Sequence, residues 1–313
     1  MSRVTHPLPT AMEPPVIPVG FDAYRMWDRW AQLRIGARAY MRSTMDRSGA
    51  NEGACAGHFL YQLADDFNVT MHIEGSGVLY FVRTNCWHGS PWHYETDGVD
   101  HILRETATAD PQAMLEKHRW EPAPPTCSFE PEELFHPPLA LTWTTTRGAD
   151  LSWLPIAFER SFRLAYGRTC YGTGYYISHR YLPGAPLSEP IRTFDWKTVP
   201  PTDVEELLDR AGTDIAPHAR SPEGERLGIR EVHGTASLQP GQPEQLQRIG
   251  EGPGMLRALE LSAPKQRAVD FGAAWIRITW DDRGLPSVDA PVALFFGAGH
   301  LYNADDREFL VKG

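Results

Sequence analysis

A glycine pair that opens an apolar, β-branched and aromatic run, followed by a second aromatic run ending in an acidic turn, occurs twice in this chain. The first copy is GSGVLYFVRTNCWHG, Gly75 to Gly89, continued by PWHYETDG to Gly98. The second is GPGMLRALEL, Gly252 to Leu261, continued by AAWIRITWDDRGLPSVDAPVALFFGAG from Ala273 to Gly299. Glycines ahead of such runs are turn chemistry feeding a strand, and their presence in both halves predicts two related β domains. Twenty-seven prolines and 27 glycines, clustered between apolar runs, exceed what a helical protein tolerates and point the same way.

At 313 residues the chain is long enough for two domains with sizeable cores. Residues 198–246 supply the boundary: TDVEELLDRAG has an acidic first turn and ends at Gly212, predicting a short helix, and Pro, Gly, Ser and charge follow to Gln245. The expected organisation is an N-terminal arm and helix over residues 1–44, a first β-sandwich over 45–197, a linker with a short helix over 198–246, and the start of a second sandwich over 247–313. In residues 21–44, Tyr24, Trp27, Trp30 and Leu33 recur at helical spacing, which predicts an amphipathic helix. Strands are expected at Asn68–Ile73, Val78–Asn85, Leu139–Thr146, Trp153–Leu164 and Gly174–Leu182, with a short helix at Pro111–His118.

The charge balance narrows the function. Forty acidic against 30 basic residues give a net charge of −10, and no Lys/Arg stripe could follow a phosphate backbone, so nucleic acid is not an expected partner. No segment approaches the roughly 20 apolar residues of a membrane span, and the proline-rich start resembles neither a signal nor a transit peptide. Cys55, Cys86, Cys127 and Cys170 form no CxxC pair, and reduced thiols in the cytoplasm are the expectation. Neither a GxSxG elbow nor a phosphate-binding loop is present, so serine hydrolysis and nucleotide chemistry have no support and no cofactor is expected.

Two polar clusters suit a polyhydroxylated ligand. Asp46, Arg47, Asn51 and Glu52, set among glycines in MDRSGANEG, combine carboxylates, a planar fork of donors and an amide, although an ordinary loop after a helix would look the same. CWHGSPWHYETDGVDH, residues 86–101, packs Trp87, His88, Trp92 and Tyr94 around Asp97 and Asp100. Aromatic faces stack on sugar rings while carboxylates accept from hydroxyls; a hairpin with aromatic cross-strand pairs is the plainer alternative. The spacings of His88, His93 and His101 match no familiar zinc pattern, and no metal site is assigned. Asp281 and Asp282 with Gly284 make a turn, and as neighbours they are a poor acid/base pair; Glu251 sits between glycines, the usual place for a solvated turn tip.

DRSGAN (Asp46–Asn51), GSGVLYFVRTNCW (Gly75–Trp87), LPIAFERSFRL (Leu154–Leu164), GYYISHRYLP (Gly174–Pro183) and WDDRGLPSVDAPVALFFGAG (Trp280–Gly299) together resemble the family long catalogued as domain of unknown function 2961, which includes glycoside hydrolase family 172. The resemblance covers roughly residues 40–313. Its last segment is the most specific. It implies an all-β fold of two jelly-roll sandwiches, hydrolysis or transfer of fructofuranosyl or arabinofuranosyl units, and assembly as a homo-oligomer, a trimer or hexamer. With the two polar clusters read this way, Asp46, Arg47, Asn51, Trp87, His88 and Asp97 are the expected substrate contacts. The family's two catalytic glutamates lie in Gly-Glu-Gly-Asp and Gly-Thr-Gly-Thr-Glu-Asp motifs, and neither string occurs here. Because those motifs follow the Phe-Phe-Gly segment in the family, the expectation is a chain that continues past Gly313, or a member without the catalytic part.

Overall fold

The computed structural model describes residues 16–29, 32–44, 59–85, 91–106, 128–146, 149–167, 173–210, 230–250, 256 and 258–297. The chain divides into two compact units, Met1–Asp209 and Arg210–Gly313.

The first unit is an antiparallel β-sandwich. Its strands are β1 (Ala37–Ser43), β2 (Tyr61–Ala64), β3 (Phe67–Glu74), β4 (Gly77–Asn85), β5 (Trp92–Thr96), β6 (Val99–Glu105), β7 (Phe129–Glu130), β8 (Ala140–Leu141), β9 (Ala149–Ser152), β10 (Ile156–Phe158), β11 (Ser161–Tyr166) and β12 (Thr173–Tyr181). One sheet runs β1-β12-β4-β9-β8, with β10 also on β4; the other runs β2-β3-β11-β5-β6-β7. Facing side chains of the two sheets, including Leu79, Val82 and Tyr176 from one and Tyr94, Phe162 and Leu164 from the other, form one buried cluster. Each such side chain contributes on the order of 1.5–3 kcal/mol by leaving water; period-2 alternation turns Tyr94, Phe162 and Leu164 inward, and a register irregularity in β4, where Phe81 pairs with Ile177 but Leu79 with Ser178, brings both Leu79 and Val82 to the inner face.

The first glycine-led copy folds as its sequence predicts. Gly75 and Ser76 turn the chain from β3 into β4, and β5 runs into a two-residue turn at Asp97 and Gly98 with φ of 53° and 88°. Positive φ at both central positions is the turn that matches strand twist, and an Asp-Gly pair supplies it. Trp153–Leu164 is not one strand but β10 and β11, divided by a bend at Glu159 and Arg160.

Other expectations are corrected. The helix expected over residues 21–44 is limited to Asp22–Arg25 and a 3-10 turn at Trp27–Arg29, and the following residues form β1, paired with β12 from Ala37↔Tyr181 to Ser43↔Tyr175. Gly36, at φ 106°, breaks the helical path, and the ladder with β12 outweighs helical spacing. Leu139–Thr146 holds only two strand residues before a helical turn at Trp143–Thr146. Pro111–His118 lies outside the described residues. The helix expected after Pro201 is Thr202–Asp209; it closes the first unit and packs within it through buried Val204, an Arg25–Asp203 ion pair at 2.6 Å and a His136–Glu205 contact at 2.5 Å.

In the second unit the described residues form a two-stranded sheet, β13 (Trp275–Ile278) with β14 (Val288–Pro291), flanked by helices Ala268–Ala273 and Val292–Phe295. Asp281 and Asp282 sit at φ 54° and 51° between the strands, with the Arg283 N–H donating to the Trp280 carbonyl at 3.2 Å, the turn expected there. The strand expected from Gly252 is not formed over residues 258–261, and Val292–Phe295 is a helical turn. A proline just before the first turn, Pro291, favours a helix start at that point.

Candidate functional site

The two ends of the first sandwich differ in kind. At one end the chain reverses in short turns, Gly75–Ser76, Asp97–Gly98 and Glu159–Arg160. At the other, strands deliver the longer connections. Residues 45–58 follow Thr44, whose N–H donates to the Gly174 carbonyl at 3.1 Å; residues 86–90 join β4 to β5; residues 107–127 leave from Thr106 and return at Ser128, which are hydrogen-bonded at 3.0 Å; residues 168–172 join β11 to β12. Connections grouped on a rigid scaffold are where binding residues concentrate.

Asp46, Arg47, Asn51, Trp87 and His88 all belong to these connections and lie outside the described residues, as does Glu251. Asp97 is at the opposite end. Its carboxylate accepts the N–H of Glu159 at 2.9 Å, of Arg160 at 2.6 Å and of Ser161 at 2.8 Å, and the Thr193 hydroxyl at 2.5 Å. Partial burial opposes the charge, but these four donors outweigh it and hold the carboxyl below its ordinary range. Asp97 thereby ties the β5–β6 turn to the β10–β11 bend and to the segment around Thr193.

The aromatic stretch is divided by the pleat. Trp92 and Tyr94 point inward and are buried, with Trp92 5.1 Å from the Tyr166 ring and Tyr94 5.8 Å from Phe135. Their faces are core, which is the hairpin reading of that sequence. His93 points to the other face, 5% exposed, with Nδ1 2.7 Å from Asp100 and the ring 4.3 Å from Phe67. His101 pairs with Tyr94 and stacks on Trp196 at 4.3 Å. Burial lowers its pKa, opposed by Asp100. Successive positions on paired strands put His93 and His101 on opposite faces, so they cannot share an ion. Among the described residues no group of three His, Cys, Asp or Glu side chains is placed to hold a metal.

Beneath the connection end, two polar side chains are buried in the largely apolar interior between the sheets. Thr84 of β4 stands directly across from Asp150 of β9, and both are buried, at 1% and 6% exposure. They line a cavity of about 10 Å³ with Val82, Ser152, Trp92 and Tyr94 among its walls. On the other side Thr84 pairs with Gly174, which has no side chain; a Cβ there would sit 1.8 Å from the Tyr176 hydroxyl. Tyr176 in turn bonds the Thr70 hydroxyl at 3.1 Å. Burial raises the Tyr94 pKa, with Asp150 adding to it, and drives that of Tyr176 well up. Sequence reasoning missed Thr84 and Asp150; the available signal was a carboxylate and a hydroxyl inside apolar strand runs, RTN and ADLSW.

A mainly antiparallel, all-β protein built on a two-sheet sandwich is the class this architecture defines. Within it, residues 228–311 match the family model described as GH172 domain-like, which supports a GH172-like assignment and a glycoside hydrolase-related role. The matched span lies within the second unit, whereas the cavity and the connection end belong to the first. No curated protein matches the chain.

Proposed function

We propose that this protein acts on carbohydrate as a furanoside hydrolase or transglycosylase, taking fructofuranosyl or arabinofuranosyl units. The observation that carries the reading is the GH172 domain-like match over residues 228–311. Asp46, Arg47, Asn51, Trp87 and His88 are the proposed sugar contacts, the first three through hydrogen bonds and Trp87 through ring stacking. Asp97 is given a bracing role in place of direct contact, because four internal donors already occupy its oxygens. Cleavage needs two carboxyl groups flanking the scissile bond. Assembly as a homo-oligomer and a cytoplasmic location belong to the same proposal.

A second reading is a non-catalytic carbohydrate-binding protein, in which the aromatic and polar side chains of residues 46–51 and 86–88 hold sugar without cleaving it. Aromatic and hydroxyl partners give affinity without bond cleavage. The experiment is to titrate the protein with difructose and arabinofuranosyl substrates while following both heat of binding and released sugar. Turnover supports the hydrolase. Saturable binding with no turnover, weakened by Trp87→Ala, supports the binding protein. Neither binding nor turnover overturns both.

A further inference from the structure

His136 meets two acceptors at once. Buried Leu134 and Phe135 fix the turn after β7, where their N–H groups donate to the Pro131 carbonyl at 3.3 and 3.2 Å. The next residue, His136, then has Nδ1 2.9 Å from the Glu132 carbonyl and Nε2 2.5 Å from Glu205 Oε1 on the helix Thr202–Asp209. A carbonyl oxygen only accepts, so Nδ1 carries a hydrogen. In a neutral ring Nε2 is then a lone pair, facing a carboxylate that also only accepts. Two lone pairs at 2.5 Å repel, so a second proton sits between them. The other paired histidines differ. The Tyr61 hydroxyl, 2.7 Å from His72 Nδ1, can donate and leave Nε2–H for Glu74 at 2.8 Å, so a neutral His72 satisfies both partners. His93 Nε2 is 4.0 Å from Asp66, beyond hydrogen-bond distance.

We infer that His136 and Glu205 form a clasp closed by one proton, which makes the grip of the helix Thr202–Asp209 on the sandwich depend on pH. In the closed state both ring nitrogens bear hydrogen and Glu205 is a carboxylate. Opening releases the Nε2 proton to water, keeps the Nδ1–H on the Glu132 carbonyl, and leaves a lone pair against a negative oxygen. Histidine changes its charge between about pH 5 and 8, so the clasp is closed on the acid side and opens as the solution turns alkaline. The charged residues of the two elements that carry the pair are acidic: Glu132 and Glu133 on the turn, and Asp203, Glu206 and Asp209 on the helix. Asp203 is taken by Arg25 at 2.6 Å, and among the described residues the ion pair of His136 is with Glu205. The two side chains are 32% and 22% exposed, so the proton exchanges with water without unfolding. Because the first unit ends at Asp209, the clasp acts on the last element of that unit.

The test uses the full chain. Glu205→Gln separates the proton from the contact, because a carboxamide can donate to a neutral Nε2 as well as accept from a charged ring. The Tm of the wild type minus that of Glu205→Gln is expected to fall by about 2–4 °C between about pH 6 and about pH 9. His179 is present in both proteins and drops out of the difference. A difference that stays constant over this range overturns the clasp. Nitrogen-15 spectra of the ring, assigned by the signals lost in His136→Gln, give an independent reading. Two ring N–H groups at about pH 7 are expected, where an unpaired histidine is mostly neutral. A single ring N–H there overturns the clasp, whatever the Tm difference does.

Discussion

Asp97 shows how a single side chain can be conspicuous in sequence for one reason and used in the fold for another. Its left-handed backbone comes from the two-residue turn, and its two oxygens gather donors from residues more than sixty positions away. Asp97→Asn keeps the turn geometry, since Asn tolerates positive φ, but turns an acceptor into a donor facing donors. We expect a loss of about 1–2 kcal/mol, measured by urea unfolding. Unfolding free energy unchanged by the substitution would refute the bracing role. His179 governs a second residue-scale prediction. Burial, aided by Arg34, lowers its pKa from 6.5 to about 4, and its ring packs 4.7 Å from Tyr80. The folded pKa therefore lies below the unfolded one, so between pH 6.5 and about 4 the unfolded chain takes up a proton that the folded protein refuses. Stability is expected to fall as pH drops through that window, and His179→Gln to flatten the slope. An equally steep decline in the variant would show that other groups set it.

Among the elements, the helix Thr202–Asp209 offers the clearest test of which contacts matter. It meets the rest of the first unit through buried Val204 and through the ion pair of Asp203 with Arg25, whose side chains are 59% and 38% exposed. An exposed pair contributes about 0–1 kcal/mol, whereas truncating a fully buried aliphatic side chain costs about 2 kcal/mol through lost transfer energy and the cavity left behind. Val204→Ala should therefore lower stability clearly and Arg25→Ala barely, as read by thermal unfolding. The reverse ranking would mean that the helix is held electrostatically. β1 makes a related point. Its residues fall in the segment expected to be helical, yet seven consecutive cross-strand pairs with β12 decide the conformation, because tertiary pairing overrides weak local preference.

Across the whole molecule the two units are unequal in core. The first has a continuous cluster that includes Leu79, Tyr94, Phe158 and Phe162, while Ile276 and Val292 are the buried apolar side chains among the described residues of the second. Trp275, Leu285 and Leu294 there are exposed. Residues 1–209 produced alone are thus expected to unfold cooperatively, and residues 210–313 alone to show no cooperative transition, by circular dichroism on heating. A cooperative transition in the second piece and none in the first would reverse this account of where the stability resides.

The sequence by itself determined the class of fold and much of the first sandwich. Glycine pairs, Asp-Gly at 97–98 and alternating apolar runs encode turns and strands locally, and β3, β4, β5 and β12 lie where those patterns put them. The segment Trp280–Gly299, the most specific part of the resemblance, lies within the residues that match the GH172 domain-like model. Tertiary structure alone decided which side chains meet. Trp92 and Tyr94 look like stacking platforms until the second sheet covers them, and Asp97 looks like a ligand acceptor until residues 159–161 and Thr193 fill its lone pairs. Thr84 and Asp150, sixty-six positions apart, become neighbours only when β4 pairs with β9. Local patterns fix dihedral angles and faces over a few residues. Burial and hydrogen-bond partnership depend on strands brought together across the chain, and no local pattern contains them.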